Sequence, residues 1–61
     1  MEFYEIILRS PNGIMESKGI FSEEQAIKEY EIIRKTIIAK YGSKIASHFR
    51  IHICGIESKE D

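Results

Sequence analysis

The sequence predicts an α+β fold of ββαβ order, in which a three-stranded antiparallel sheet of strand order 2-1-3 carries one helix on one face. Three observations predict this fold. Two segments rich in β-branched and aromatic residues flank a tight-turn sequence near the N-terminus, the apolar spacing then becomes helical, and a last segment returns to alternation. We expect a single domain over residues 1–57 and a flexible, solvated tail over residues 58–61.

The first two strands are predicted to form a hairpin. Residues 2–10, "EFYEIILRS", contain the β-branched and aromatic types that favour strands, and the segment is apolar enough to be partly buried on both sides. The next residues, "SPNG", combine a proline that presets φ with Asn and Gly, which tolerate positive φ. Residues 14–21, "IMESKGIF", form the return strand, and their polar middle suits an exposed edge.

A helix is predicted to begin after Ser22. Ser22 and Gln25 have the spacing of a capping box, Phe21 and Ala26 are placed to form a hydrophobic staple, and Gly42 supplies the stop. The predicted core stripe recurs at spacings of three and four residues and consists of Ala26, Tyr30, Ile33, Ile37 and Tyr41. Ile27 and Ile38 widen this stripe.

Residues 42–47 read as a connection and residues 48–57, "HFRIHICGIE", as the third strand. A right-handed crossover places this strand beside the first, which becomes central. A helix of this length spans about 28 Å, and eight-residue strands span about 26 Å. One helix is therefore expected to cover one sheet face from end to end.

Side chains alternate between the two faces of the predicted sheet, and the cost of burying charge decides which face the helix covers. We assign to the covered side Tyr4, Ile6, Leu8, Phe49, Ile51 and Ile53, because the opposite choice would bury charged side chains at a high desolvation cost. The other face then exposes an apolar strip with a polar rim, which is typical of an interaction surface. The candidate partner-binding residues are Phe3 and Ile7 as apolar anchors, Arg50 and His52 as the rim, Cys54 as a small, partly buried contact, and Ile56.

Reactive and metal chemistry is not favoured. His48, His52 and Cys54 alternate onto one face, with Glu5 a conceivable further metal ligand, but zinc sites usually add a close ligand pair at a turn. Same-face neighbours on a strand lie about 7 Å apart, too far for a thiol and imidazole to react together. Phosphate loops and nucleophile elbows are not found in the sequence. We therefore expect no enzymatic activity, no metal and no cofactor.

Net charge and the length of the apolar runs limit the classes of partner that we expect. A net charge of -1 gives no strong attraction to nucleic acid, and the apolar runs are too short for a membrane span. The lone cysteine suits a reducing, cytoplasmic compartment.

Two alternatives to a protein-binding inhibitor stay open. One is a homodimeric regulatory module that binds nucleic acid through the basic helix end; the other is a plain homodimer whose uncovered faces cover each other. The basic residues are Arg34, Lys35, Lys40 and Lys44, a distribution that complementing the helix dipole also explains.

The order of these elements resembles a known family. The chain opens with "MEFYEIIL", a charged and then apolar strand, continues through a hairpin and one long helix, and closes with "RIHICGIES", a strand with a late cysteine. In this arrangement and in length it resembles the Dmd-type antitoxins of T-even-type phages. The resemblance implies a small phage-type inhibitor that binds and blocks a bacterial protein in the host cytoplasm, an RNA-cleaving toxin of the RnlA or LsoA kind.

Overall fold

The computed structural model describes residues 2–56 and contains five elements in the order strand, strand, helix, short helix, strand. They are β1 (Phe3–Arg9), β2 (Met15–Ser22), α1 (Glu23–Tyr41), α2 (Ser43–Ala46) and β3 (Arg50–Ile56). The sheet order is β2-β1-β3, and β1 pairs antiparallel with both neighbours. The predicted α+β class and strand order are therefore confirmed. The predicted tail, residues 58–61, lies outside the described residues.

The hairpin between β1 and β2 closes as the turn sequence predicts, but β2 carries an irregularity. Ser10 and Gly13 close the turn, with the Gly13 amide donating to the Ser10 carbonyl at 2.9 Å. Further along, Ile6 pairs with Gly19 whereas Ile7 pairs with Ser17, so Lys18 is an extra residue. This β-bulge places Gly19 at φ +126°, a conformation that residues with a Cβ rarely adopt.

The ends of α1 are those the sequence predicts, although only half of the capping box forms. The Ser22 hydroxyl oxygen accepts a hydrogen bond from the Gln25 amide at 3.4 Å. The Gln25 side chain does not return to Ser22 and instead donates to Glu29 at 3.2 Å. At the other end Gly42, at φ 86°, donates its amide hydrogen to the Ile38 carbonyl at 2.8 Å.

The predicted connection over residues 42–47 is not irregular, because it contains α2. The Ala46 amide donates to the Gly42 carbonyl at 2.9 Å, which begins a new helical turn directly after the glycine. The third strand starts at Arg50, so His48 precedes it and does not share its alternation. The turn is held in place by stacking of the Tyr41 and Phe49 rings, whose centroids lie 5.1 Å apart.

The core is small and lies between α1 and the first two strands. Among residues 2–56, the buried apolar side chains are Ile6, fully buried at 0% exposure, Ala26 and Ile37. The predicted stripe is too wide, because Ile27 and Ile38 are exposed, as is Tyr41 at the helix end. The cause is the position of α1, which packs on β1 and β2.

This position of α1 also corrects the expectation that the helix covers a whole face. Ile53 of β3, assigned to the covered side, is 45% exposed. It pairs with the buried Ile6 and therefore lies on the correct face, but α1 lies to the other side of β1. Over the described part of the chain, no helix is both long and apolar enough to cross a membrane.

Candidate functional site

The sheet face away from α1 is called the open face here. Residues that pair directly across an antiparallel ladder point to the same side, so the register defines this face. Its members are Phe3, Glu5, Ile7 and Arg9 of β1, Met15, Ser17, Ile20 and Ser22 of β2, and Arg50, His52, Cys54 and Ile56 of β3. All six candidate partner-binding residues lie on this face.

The pairs across the ladder bring the candidate residues into contact distance. Phe3 lies opposite Ile56, and Ile7 lies opposite His52. Phe3 is 38% exposed, and Ile7 and Ile56 are half-buried. The predicted placement of these side chains on one surface is confirmed, and their role in binding stays a prediction. Cys54 is exposed, not partly buried, because it lies on the edge strand β3, where Glu5 of β1 is its cross-strand partner.

Two apolar residues of the open face were missed by the sequence reasoning. Met15 and Ile20 are each 59% exposed. In a regular strand their numbering would place them on opposite faces, but the bulge at Lys18 shifts the alternation by one residue and brings both to the open face. The signal that could reveal this is the glycine at position 19, since a lone glycine inside a strand often marks a bulge.

The open face has an apolar end and a cationic end. Phe3, Ile20 and Ile56 form the apolar end, and the exposed Met15 lies at the other end, opposite Arg9. At the other end Arg9 lies directly opposite Arg50, an arrangement of like charges that is unfavourable by itself. The ion pair found within residues 2–56 joins Lys18 to Glu16 at 3.2 Å and involves neither arginine. An acidic group brought by a partner would relieve this repulsion.

Between the two ends the open face carries one anchored carboxylate. The Ser17 hydroxyl donates a hydrogen bond to the Glu5 carboxylate at 2.7 Å. Glu5 therefore has a partner within this chain. Of the conceivable metal ligands, His48 is outside β3, and the described residues contain no group of three or more His, Cys, Asp or Glu side chains placed to hold a metal ion.

A separate cavity of about 390 Å³ lies where α1, α2 and the start of β3 meet. Arg34 and Arg50 are its charged lining residues, and the hydroxyl-bearing Ser43 and Ser47 also border it. Lys40 lies elsewhere, beside Leu8 and Glu16, with its ammonium 5.3 Å from the Tyr41 ring. Two of the basic residues predicted at the helix end, Arg34 and Lys40, therefore border different cavities.

Comparison with protein-family models, with curated proteins and with solved structures finds no match for this chain. The class that the fold and this site define is a small α+β domain with one uncovered sheet face. The resemblance to Dmd-type antitoxins rests on the order of the elements and the length of the chain.

Proposed function

We propose that this chain is a small non-enzymatic inhibitor that binds a larger protein through its open face. The observation that carries the proposal is the composition of that face: Phe3, Ile20 and Ile56 make one end apolar, and a pair of facing arginines lies at the opposite end. Apolar anchors beside a charged margin are the usual anatomy of a protein-binding surface. An inhibitor that acts by occupying a surface needs no reactive group of its own.

The same features predict the surface of the partner protein that would be complementary to the open face. It would present an apolar groove to Phe3 and Ile20 and one or more carboxylates to Arg9 and Arg50. Arginine is suited to this role because its planar guanidinium can bind a carboxylate through two hydrogen bonds. Burial of the apolar end would also add to a core in which Ile6 is the fully buried side chain.

The target class comes from the resemblance to Dmd-type antitoxins. On that basis the proposed target is an RNA-cleaving bacterial toxin of the RnlA or LsoA kind, and the place of action is the host cytoplasm. The inhibitor would block the toxin by covering the surface that RNA approaches.

The first test is an affinity pull-down of the tagged chain from bacterial lysate at moderate salt with nuclease added, followed by measurement of binding with the purified target. The open-face variant carries Phe3→Asp and Ile7→Lys. Its matched control carries Ile32→Asp and Ala39→Lys on exposed positions of α1. Circular dichroism verifies that both variants are folded.

We expect wild type and the helix variant to bind the toxin and to inhibit RNA cleavage, and the open-face variant to lose both. A folded open-face variant that still inhibits would show that another surface binds. Recovery of no protein other than the chain itself would count against the inhibitor proposal.

A second candidate function, a homodimeric nucleic-acid-binding module, is favoured by one observation: Arg34 and Arg50 line the same cavity. Binding through phosphates weakens steeply with salt, whereas docking through an apolar strip does not. Fluorescence anisotropy with labelled RNA at low and moderate salt separates the two. Tight, salt-sensitive binding that Arg34→Ala weakens would favour the second candidate.

A further inference from the structure

The two edges of the sheet differ in how they are protected. On the β2 edge the bulge at Lys18 interrupts the regular ladder, and Glu16 and Lys18 place an ion pair there. Bulges and charged residues are common means of preventing pairing at an edge. The ladder between β1 and β3 continues without a register shift from Phe3–Ile56 to Arg9–Arg50. β3 therefore presents a regular strand of seven residues at the other edge.

The side of the molecule next to β3 is also apolar. Ile27, Arg34 and Ile38 lie at helical spacings of seven and four and thus share one flank of α1. Arg34 and Ile38 border the same cavity as Ile51 of β3, so this flank faces the β3 side. Ile27 is 62% exposed and Ile38 is 39% exposed. We call this surface, with Ile53, the β3-side surface.

We infer that β3 pairs antiparallel with β3 of a second copy of this chain, with the twofold axis at Ile53. The strand is centred on this residue, and its sequence is self-complementary in that register. Ile53 lies opposite Ile53 of the second copy, Ile51 opposite its Gly55, His52 opposite its Cys54, and Arg50 opposite its Ile56. Like charges do not oppose each other, and a large side chain faces a glycine.

A second copy fits this edge for two further reasons. The twofold axis joins the β3-side surfaces of both copies, so Ile53 of each copy covers the other on the helix side of the sheet. The result is a continuous sheet of six strands, in which both open faces point to the same side and stay accessible. The inference therefore uses a different surface from the proposed function, and it can fail or succeed independently of it.

The first experiment measures molar mass by sedimentation velocity over a wide range of protein concentrations. We expect wild type to dimerise and Ile53→Lys, which places two like charges at the axis, to raise the dissociation constant about a hundredfold or more. Ile20→Lys changes an exposed isoleucine of the opposite edge and is the matched control, expected to dimerise like wild type. A monomeric wild type would overturn the inference, and so would dissociation by Ile20→Lys alone.

A second experiment tests the register with a short thiol cross-linker in a Cys54→Ser background. Directly opposed residues have Cβ atoms about 4.5–5.5 Å apart, so Ile53→Cys is expected to form covalent dimers. Ile51→Cys is the control, because its counterpart lies four residues along the strand, about 13 Å away. Efficient cross-linking of Ile51→Cys, with none at position 53, would refute this register.

A measurement on the wild-type chain avoids any effect of the substitutions on folding. Amide hydrogen exchange is followed at low and high protein concentration. We expect amides within Arg50–Ile56 to exchange more slowly at high concentration and those within Met15–Ser22 to be unchanged. Protection that grows on β2 instead, or that does not depend on concentration, would contradict pairing through β3.

Discussion

Replacing Ile6 by alanine tests where the core lies. Ile6 is fully buried at the centre of the sheet, between Gly19 on β2 and Ile53 on β3. The substitution removes three carbon atoms, worth about 2.4 kcal/mol of transfer free energy at about 0.8 kcal/mol each. The remaining void adds to this, which gives a loss of about 3–4 kcal/mol, within the range usual for buried Ile→Ala changes.

The control is Ile20→Ala on the edge strand. Ile20 is 59% exposed, so 41% of its surface is buried, and the same transfer free energy scales to about 1 kcal/mol with no void. A domain of 61 residues has a total stability of only about 3–9 kcal/mol. Ile6→Ala is therefore expected to remove between a third and all of it, and Ile20→Ala a minor part.

Urea unfolding followed by far-UV circular dichroism measures both variants at one fixed protein concentration, because the inferred dimerisation would make the apparent stability depend on concentration. With a slope of about 1 kcal/mol per molar urea, the midpoint falls by about 3 M for Ile6→Ala and by about 1 M for Ile20→Ala. Equal shifts for the two variants would refute the position of the core described here.

Four other substitutions have defined outcomes. Gly19→Ala is expected to lower the free energy of unfolding by about 1–3 kcal/mol, because φ is +126° and the new Cβ would lie 3.0 Å from the Phe21 ring. Gly55→Ala is the control: its new Cβ makes ordinary contacts with Tyr4, and thermal unfolding should place its stability within about 1 kcal/mol of wild type. Ser22→Ala removes the cap of α1 and should cost about 0.5–2 kcal/mol; an unchanged melting temperature would contradict the cap. The Tyr4 hydroxyl donates a hydrogen bond to Glu2 at 3.0 Å, and this bond together with the charge of Glu2 raises the pKa of Tyr4 above 10.0. The contribution of this hydrogen bond to stability is therefore complete below pH 10.0 and is lost as the pH rises through the pKa of Tyr4 in the folded state. Ultraviolet absorbance titration should show that one phenol ionises at lower pH in Glu2→Gln than in wild type. Identical titration curves would contradict the assignment of the raised pKa to Glu2.

The faces of the sheet could be predicted because burial of charge is costly. Placing Arg9, Arg50 and His52 outside fixed the orientation of β1 and β3, and the register confirms it for these strands. The capping serine and terminal glycine likewise located both ends of α1. Each of these predictions depends on local chemistry.

The features that sequence reasoning missed depend on how the elements are placed in space. Whether Ile20 belongs to the open face depends on the bulge at Lys18, which the pairing with β1 determines and which alternation alone does not reveal. The exposure of Ile38 and Ile53 depends on where α1 lies across the sheet, and an apolar stripe on a helix does not specify which strands it covers. The helical turn after Gly42 was missed because four residues are too few to show a period.

In the inferred dimer, the bulge in β2 limits the size to which the assembly can grow. Pairing of β3 with its own copy uses one edge of each chain, and the edge left at either end of the joined sheet is the interrupted one. An isologous contact of this kind closes after two subunits, whereas an open head-to-tail contact continues into a filament. In that dimer the single extra residue of β2 hinders strand pairing at both outer edges, and so favours a finite particle over a fibre.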